Sequence, residues 1–288
     1  MISGETKIYG LIGNPVEHSV SPAMHNAAFD SMGLDCAYIP FRVQEGSLTT
    51  AIHAIKALNI YGVNVTIPHK VAIIPLLDEL EALAQKIGAV NTIINNNGKL
   101  KGYNTDAGGF LNALLQKGVE PSAKKAVVIG AGGVSRAISF TMAEMGAEIS
   151  ILNRRQEIGW AVELATTISQ SFKKEVKALE LNDDNLTTAL YSADILVNAT
   201  SIGMSPDINQ SPVPSALLKA EMVVFDAVFN PLRTRLLAEA ESIGALTVNG
   251  IDMLVWQGAL AFELWTGVKA PLDIMKASAL RALCNNED

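Results

Sequence analysis

Short apolar runs rich in Val and Ile alternate along the chain with longer segments that have the 3.6-residue period of helices. This alternation is typical of parallel strands joined by crossover helices, so it predicts an α/β fold. In the first half, Ser21 and Pro22 are typical of an N-cap and a first helical position, and the turn 95–98 predicts a hairpin that adds one antiparallel pair at the sheet edge. The predicted strands are 7–12, 37–43 and 61–67, the helices 21–32 and 47–58, and the hairpin arms 90–94 and 99–103.

A second α/β series follows the loop at 118–121. Its predicted strands are 126–129, 148–152, 176–181, 194–198, 222–227 and 245–248, with helices between them. From 251 to 284 the chain is helical by period, and we expect these helices to pack on the first domain. The chain therefore leaves the first domain near Ala107 and returns to it near Asn249. This predicts one domain at 1–106 with 249–288 and another at 107–248.

Composition agrees with two folded domains and excludes several classes of function. The 288 residues are 49% hydrophobic and 18% charged, and a chain of this length forms about two domains. The net charge of −7 gives no general attraction for nucleic acid or for an anionic membrane. The first residues do not resemble a signal peptide, so we expect a cytoplasmic protein. Cys36 and Cys284 are the only cysteines and lack partners at metal-ligand spacing, so no metal site is expected.

A glycine-rich turn at 130–133 connects a buried strand to a helix. Such a turn lets backbone N–H groups and the helix N-terminus approach a pyrophosphate, although it can also be a plain tight turn. The next strand ends about twenty residues later in Asn153-Arg154-Arg155. An acidic residue there would bind the ribose hydroxyls of NAD, whereas two guanidiniums suit the 2′-phosphate of NADP. The pattern favours NADP, and two solvated surface arginines are the alternative.

A second group of polar residues follows apolar strands in the first domain. The segment Asn64 to Lys70 places polar side chains at a strand end, where α/β sheets bind ligands, and Pro68 precedes a helix start. Lys70 would then lie in the first helical turn, where it could act as a general acid and base. An exposed charge is the alternative. Asn91 and Asp106 also lie at element ends, and Asp106 alone is most simply the N-cap of a helix that begins at Ala107.

Six segments, in order and over nearly the whole chain, together resemble the shikimate dehydrogenase family. They are HSVSP at 18–22, GVNVTIPHK at 62–70, GAVNTI at 88–93, GYNTDAGGF at 102–110, GAGGVSRA at 130–137 and MLVWQGALAFELWTG at 253–267. The resemblance implies a mostly parallel substrate-binding domain, a Rossmann-like NADP-binding domain and C-terminal helices that return to the first. It also implies the NADP-dependent, reversible reduction of 3-dehydroshikimate to shikimate in aromatic amino-acid biosynthesis, with NAD the less favoured cofactor. It leaves a homodimer open.

The resemblance also implies roles for individual residues. Lys70 and Asp106 would form the catalytic pair: Lys70 supplies the proton as the carbonyl is reduced, and Asp106 orients Lys70 and binds a hydroxyl. The substrate carboxylate would be held by Ser19 and Ser21, and the ring hydroxyls by Asn64, Thr66, Asn91, Asp106 and Gln257. The implied cofactor residues are Gly130, Ala131, Gly132, Gly133 and Val134 at the pyrophosphate, Asn153, Arg154 and Arg155 at the adenosine end, and Thr200, Ser201, Ile202, Gly203, Met204, Val228, Gly250 and Met253 at the nicotinamide.

Two departures from the family pattern leave alternatives open. Many relatives have a tyrosine where this chain has Phe229, so one hydroxyl for the substrate carboxylate is absent. Arg155 replaces the usual threonine of the NADP site, and Ile158 lies near the position of a further basic residue. One alternative is a broader quinate/shikimate dehydrogenase that uses either cofactor. The other is a metabolite sensor without catalysis, against which the presence of both Lys70 and Asp106 argues.

Overall fold

Two structural units make up the chain in the computed structural model, which describes residues 2–285. Unit 1 comprises Met1–Gly109 and Val255–Asp288, and unit 2 comprises Phe110–Leu254. The predicted changes of domain, near Ala107 and Asn249, lie at the starts of the two helices in which the chain passes from one unit to the other. In residues 2–285 no helix is both long enough and apolar enough to cross a bilayer.

Unit 1 contains a six-stranded sheet with the strand order β2-β1-β3-β5-β6-β4. Its elements before the C-terminal segment, including one helix shared with unit 2, are β1 Lys7–Gly13, α1 Ser21–Ser31, β2 Cys36–Arg42, α2 Leu48–Ala57, β3 Gly62–Val65, α3 His69–Ala72, β4 Glu79–Leu80, α4 Ala82–Ile87, β5 Thr92–Asn96, β6 Lys99–Tyr103 and α5 Asp106–Gln116.

Strand pairing in unit 1 differs from the prediction at one edge. The predicted hairpin is present as β5 and β6, but β3 also pairs antiparallel with β5, so the sheet has two antiparallel pairs rather than one. The hairpin is also not at the edge, because β4 pairs parallel with β6 outside it. Only two residues form β4, which is too short to show alternating apolar and polar positions. β3 ends at Val65, so Thr66 follows the strand.

Unit 2 contains a six-stranded sheet, all parallel, with the strand order β12-β11-β10-β7-β8-β9. All six strands were predicted from their apolar runs, and this doubly wound arrangement confirms the expected Rossmann-like fold. Its core consists of aliphatic side chains such as Ile129, Leu196 and Val224. Its elements are β7 Lys125–Ile129, α6 Gly133–Glu144, β8 Glu148–Asn153, α7 Ile158–Phe172, β9 Lys177–Glu180, α8 Asp183–Tyr191, β10 Ile195–Asn198, β11 Val223–Asp226, α9 Arg235–Ser242 and β12 Leu246–Asn249.

The C-terminal segment forms two helices, α10 Gly250–Thr266 and α11 Leu272–Asn285. As predicted, they return to the first unit: α11 packs against α1, and the Trp265 indole donates a hydrogen bond of 3.0 Å to the carbonyl of Ile93 in β5. Trp265 lies directly over Gly62, where an added Cβ would come within 2.3 Å of the indole nitrogen. Glycine at 62 is therefore what lets this indole approach the sheet.

Two predicted helix caps are wrong in detail. Ser21 is the first residue of α1 rather than its N-cap; the N-cap position is Val20, and no side chain caps the helix there. Asp106 is the first residue of α5, and the side chain that caps it is Asn104, whose Oδ1 accepts the Ala107 N–H at 3.1 Å. Because Asn104 satisfies this amide, the Asp106 carboxylate is available for other partners.

Candidate active site

A lysine and a carboxylate pair with each other in unit 1. Lys70 lies in α3, directly after the segment that follows β3, and Asp106 begins α5. The Lys70 Nζ donates to Asp106 Oδ2 at 2.7 Å, and the two side chains are only 11% and 5% exposed. Separating the two groups would leave each charge buried without its partner, which is strongly unfavourable. Each group therefore holds the other in position. The pair therefore places a proton donor at a defined position.

Asn91 connects this pair to the rest of the site. Its Nδ2 donates to Asp106 Oδ1 and to Thr105 Oγ1, both at 2.9 Å, and also lies 3.2 Å from Gln257 Oε1. Its Oδ1 accepts the Thr105 N–H at 2.7 Å, which fixes the orientation of the amide. Asp106 is thus held at both oxygens, by an ammonium on one side and an amide on the other.

Asn64 belongs to the same polar network. It lies in β3 in register with Thr92 of β5, and its Nδ2 donates to Thr92 Oγ1 at 3.0 Å. Its Oδ1 accepts the Tyr38 hydroxyl at 2.8 Å. Burial raises the pKa of Tyr38 well above its ordinary value, while a hydrogen bond with Ser21 lowers it, so Tyr38 stays protonated and donates.

A buried histidine supports this side of the site. The His25 ring stacks on Tyr38 with a centroid separation of 4.5 Å. Burial lowers the pKa of His25 to about 3, and neither ring nitrogen has a hydrogen-bond partner among the described residues. His25 is therefore a neutral ring that packs beneath Tyr38 rather than a proton carrier.

The predicted substrate residues divide into two groups. Hydrogen bonds join Asn64, Lys70, Asn91, Asp106 and Gln257 into one buried network. Ser21 is connected to this network through Tyr38, with which it shares a hydrogen bond, and Ser19 Oγ accepts the Ser21 N–H at 3.3 Å. No hydrogen bond found in residues 2–285 joins the Thr66 side chain to the network.

Thr66 is packed against a glycine. A Cβ added at Gly13 would come within 2.2 Å of Thr66 Cγ2, so the methyl lies directly over the Gly13 backbone. This contact and the restricted χ1 of threonine fix the side chain in one rotamer.

The glycine turn in unit 2 fits a phosphate. Gly130 has φ +105°, and a Cβ there would lie 2.9 Å from Thr200 Cγ2, so this position requires glycine. Gly132 is the N-cap of α6, and no side chain caps the helix. A Cβ at Gly132 would meet nothing within 4 Å. The first-turn amides, from Gly133 and Val134 onward, are therefore open to an anion above Ala131 and Gly132.

The adenosine-end candidates follow β8. Asn153 is buried and donates to the Glu157 carbonyl at 2.8 Å. Arg154 forms an ion pair with Glu157, which holds the pKa of that carboxyl below its ordinary value. Arg155 is exposed, and no ion pair with it occurs in the described part of the chain. In the sequence, the two adjacent arginines gave no sign that one of them, Arg154, pairs with Glu157.

Two residues that the sequence analysis missed organise the nicotinamide-end candidates. Asn198 and Asp226 end β10 and β11 and are in register. Asn198 Oδ1 accepts the N–H and the hydroxyl of Thr200, and its Nδ2 donates to the Ile202 carbonyl at 3.1 Å. Asp226 accepts the Val228 N–H at 3.0 Å. The sequence feature that could have identified Asn198 and Asp226 is that each is a polar residue at the carboxyl end of an apolar strand.

The remaining nicotinamide-end candidates lie in two further segments. Ser201, Gly203 and Met204 complete the turn after Thr200, in which the Met204 N–H donates to the Ser201 carbonyl at 3.1 Å. Gly250 begins α10 so close to the Ala227 carbonyl that an added Cβ would lie 2.4 Å from its oxygen, and Met253 is buried one turn later.

Comparison with known proteins gives matches over nearly the whole chain. Three family models match it: the shikimate dehydrogenase substrate binding domain at 11–93, shikimate / quinate 5-dehydrogenase at 113–231, and the shikimate 5'-dehydrogenase C-terminal domain at 250–280. A shikimate dehydrogenase (NADP(+)) of Dehalococcoides mccartyi is 46% identical over 280 residues, which is 97% of each chain. A shikimate dehydrogenase solved in complex with NADP+ superimposes with a TM-score of 0.92 at 44% identity, covering 98% of both chains. The enzyme from Listeria monocytogenes, solved with shikimate and NAD, has a TM-score of 0.88 at 38% identity and covers 96% of this chain and 97% of its own.

Proposed function

The chain belongs to the shikimate dehydrogenase family, and we propose that it catalyses the NADP-dependent, reversible reduction of 3-dehydroshikimate to shikimate. The observation that carries this proposal is the buried Lys70–Asp106 ion pair, with Asn91 on the second carboxylate oxygen. A metabolite sensor would not need a proton donor held at one atom in this way. Lys70 and Asp106 as the catalytic pair are part of the proposal.

Lys70 supplies the proton in this mechanism. When bound, NADPH supplies the hydride that reduces the substrate carbonyl carbon. The oxygen then gains negative charge, and the Lys70 ammonium stabilises it by a hydrogen bond and transfers a proton to it. Asp106 holds Lys70 in place throughout and accepts a hydrogen bond from the neighbouring hydroxyl of the ring. In the reverse direction, Lys70 accepts the proton from the hydroxyl that is oxidised.

The other polar side chains hold the ring and the carboxylate. Asn64 donates to Thr92 and to the Asn91 carbonyl, and its Oδ1 accepts the Tyr38 hydroxyl, so it can offer a substrate hydroxyl the second lone pair of Oδ1. Thr66, Asn91 and Gln257 are proposed to bind the remaining hydroxyls. Ser19 and Ser21 are proposed to hold the carboxylate. Because Phe229 offers no hydroxyl, these serines carry more of that contact.

The proposed cofactor site uses the uncapped start of α6 for the pyrophosphate. Gly130, Ala131, Gly132, Gly133 and Val134 fit this role because the amides are open and the glycines leave room for the phosphates. Asn153, Arg154 and Arg155 are proposed at the adenosine end. The nicotinamide is proposed to contact Thr200, Ser201, Ile202, Gly203, Met204, Val228, Gly250 and Met253.

The direct test measures the reaction itself. NADP+ reduction is followed by absorbance with shikimate and with quinate, and NAD+ replaces NADP+ in a parallel series. We expect turnover with shikimate and NADP+ that exceeds every other combination. No reduction with either substrate and either cofactor would disprove the proposed activity, and equal rates with NAD+ would disprove the NADP preference.

Replacing Arg155 by Ala should raise KM for NADP by about ten- to a hundredfold, because a charge-assisted contact to the 2′-phosphate is lost. Arg154→Ala should have a smaller effect, because Arg154 must first share its guanidinium with Glu157. Steady-state kinetics with NADP and NAD give the comparison, and KM for NAD should hardly change. Arg233→Ala is the matched control for Arg154→Ala, since Arg233 is likewise an exposed arginine paired with a glutamate in unit 2. Equal effects on both cofactors would show that Arg155 does not bind the phosphate.

Thr66 should exclude quinate, which has a tetrahedral C1 with an added hydroxyl where shikimate has a trigonal C1. The Thr66 methyl is fixed against Gly13, so it cannot turn away from a larger ring. A hydroxyl buried without a partner costs about 1 to 3 kcal/mol, so kcat/KM for shikimate should exceed that for quinate at least tenfold. The ratio of kcat/KM for shikimate to kcat/KM for quinate should be smaller in Thr66→Ser, which lacks the methyl. A ratio near one in the wild type, or one that does not narrow in the variant, would contradict this role.

Two further expectations accompany the proposed activity. We propose that the enzyme is cytoplasmic, and cell fractionation should then recover it in the cytoplasmic fraction. A homodimer is tested by light scattering of the purified protein, where a mass near twice the 30.6 kDa of one chain would indicate a dimer.

A further inference from the structure

Asp226 is a fully buried carboxylate that the proposed mechanism does not use. Its Oδ1 accepts the Asn198 side-chain amide at 2.9 Å and the Val228 N–H at 3.0 Å, and its Oδ2 accepts the Thr234 hydroxyl at 2.7 Å. These donors come from the end of β10, the segment after β11 and the start of α9. One carboxylate therefore joins three segments that are separate in the sequence.

The contact with Asn198 reaches the turn at 200–202. Because the amide nitrogen of Asn198 faces Asp226, its Oδ1 must face Thr200, where it accepts both the N–H at 3.1 Å and the hydroxyl at 2.6 Å. The Thr200 hydroxyl oxygen in turn accepts the Ile202 N–H at 3.1 Å. Asp226 thus determines which way the Asn198 amide points and, through it, the conformation of this turn.

The contact with Thr234 requires the carboxylate to be an acceptor. The Thr234 oxygen already accepts the Leu237 N–H as the N-cap of α9, so its hydrogen is the atom it offers to Asp226. If Oδ2 carried a proton, the Thr234 hydroxyl would have to turn away, and its hydrogen would lack an acceptor in a site with no solvent exposure.

We propose that Asp226 is a positioning residue for the nicotinamide end of NADP, and that its ionised form holds the turn after β10 and the segment after β11 in the conformation that binds the cofactor. This inference rests on the proposed function, in which Thr200, Ile202 and Val228 contact the nicotinamide. It assigns a role to a residue that does not itself touch the cofactor.

Within residues 2–285, no charged group is found that would hold Asp226 ionised. The groups that face it are Asn198, Val228 N–H and Thr234, none of which titrates, and Asn249 of β12 is its register neighbour. The nearby arginines are engaged elsewhere, Arg233 with Glu241 and Arg235 with Glu239. Burial raises the pKa of Asp226 and the three hydrogen bonds lower it; burial has the larger effect, and the pKa is about 6. The carboxylate is therefore ionised at pH 8 and protonated at pH 5.

The test compares NADPH dissociation constants, measured by fluorescence titration, for the wild type and Asp226→Asn at pH 5 to 8. The asparagine is permanently neutral, and both proteins share every other titrating group, including the 2′-phosphate of the cofactor. The ratio of variant to wild-type Kd should be about three- to tenfold at pH 8, the factor for one ordinary hydrogen bond. It should fall below two at pH 5, where the wild type is also neutral. A ratio that is near one at pH 8, or that does not change with pH, overturns the proposal.

Two controls separate positioning from a general effect on the fold. Asp194→Asn changes a carboxylate at the opposite end of β10, where it accepts the Lys125 N–H at 2.8 Å, and its Kd ratio should be one throughout. Adenosine 2′,5′-bisphosphate, which lacks the nicotinamide, should bind the wild type and Asp226→Asn equally, and an equal loss with this ligand would overturn the proposal.

A second pair of variants covers a failure of Asp226→Asn to fold. Thr234→Val removes the hydroxyl donor and should raise the NADPH Kd at pH 8, whereas Thr234→Ser retains it and should leave the Kd within about twofold. Equal Kd values for these two variants would overturn the positioning role. Absence of NADPH binding by the wild type would instead disprove the proposed function.

Discussion

Lys70→Ala should lower kcat by roughly 10²- to 10⁴-fold and leave KM for shikimate nearly unchanged. The physical reason is that the ammonium stabilises the oxygen chiefly as it gains charge in the transition state. Lys70 is also the cation that pairs with the buried Asp106 carboxylate, so its removal leaves a buried negative charge beside the Asn91 amide without its cation. The measurement is steady-state kinetics with shikimate and NADP+.

The control must separate lost chemistry from lost stability. Removing one partner of a buried ion pair costs about 3 to 5 kcal/mol, so thermal unfolding of the variant should be measured beside its kinetics. Lys70→Met keeps the volume of the side chain and should show the same loss of kcat. Lys56→Met is the matched control, because Lys56 forms a 2.8 Å ion pair with Asp78 in the same unit. A folded Lys70→Met with a wild-type kcat would exclude Lys70 as the proton donor.

The parts of the fold that follow from hydrophobic pattern alone were predictable. Every strand of unit 2 has at least four residues, and β7, β10 and β11 each contain an uninterrupted apolar run, so the doubly wound sheet could be predicted before any contact was known. β4 could not, because two residues at Glu79 and Leu80 form a strand only through pairing with β6. The antiparallel pairing of β3 with β5 likewise depends on tertiary packing, and the local sequence does not predict it.

The site shows the same division between local and tertiary information. The motifs contained Lys70, Asn91 and Asp106, but local capping rules made Asp106 the N-cap of the following helix, and in the structure the Asn104 side chain caps that helix instead. Tyr38 lies within a predicted strand and looks like a core residue, and its contact with Asn64 joins residues far apart in the sequence. Which polar group satisfies which partner is decided by tertiary packing, so it could not be predicted from spacing.

Asp106→Asn should lower kcat by about 10²-fold and raise KM for shikimate by up to about tenfold. Asp106 faces a donor at each oxygen, Lys70 Nζ at Oδ2 and Asn91 Nδ2 at Oδ1. An asparagine has one acceptor oxygen, so its own NH₂ group must face one of these two donors in a site that is only 4% exposed. Lys70 then loses its fixed position, and the substrate hydroxyl loses an anionic acceptor.

Comparing kcat with KM distinguishes these two losses. If Asp106 only orients Lys70, kcat falls and KM stays constant; if it also binds the substrate, both constants change, which is the result we expect. Asp78→Asn is the matched control: Asp78 accepts Lys56 Nζ and, at 2.7 Å, the Leu100 N–H in the same unit, so the substitution disturbs a similar pair away from the site. Its kinetic constants should match the wild type. If Asp106→Asn is folded and also matches the wild type, the buried ion pair has a structural role only, and the proton that Lys70 transfers does not depend on its carboxylate partner.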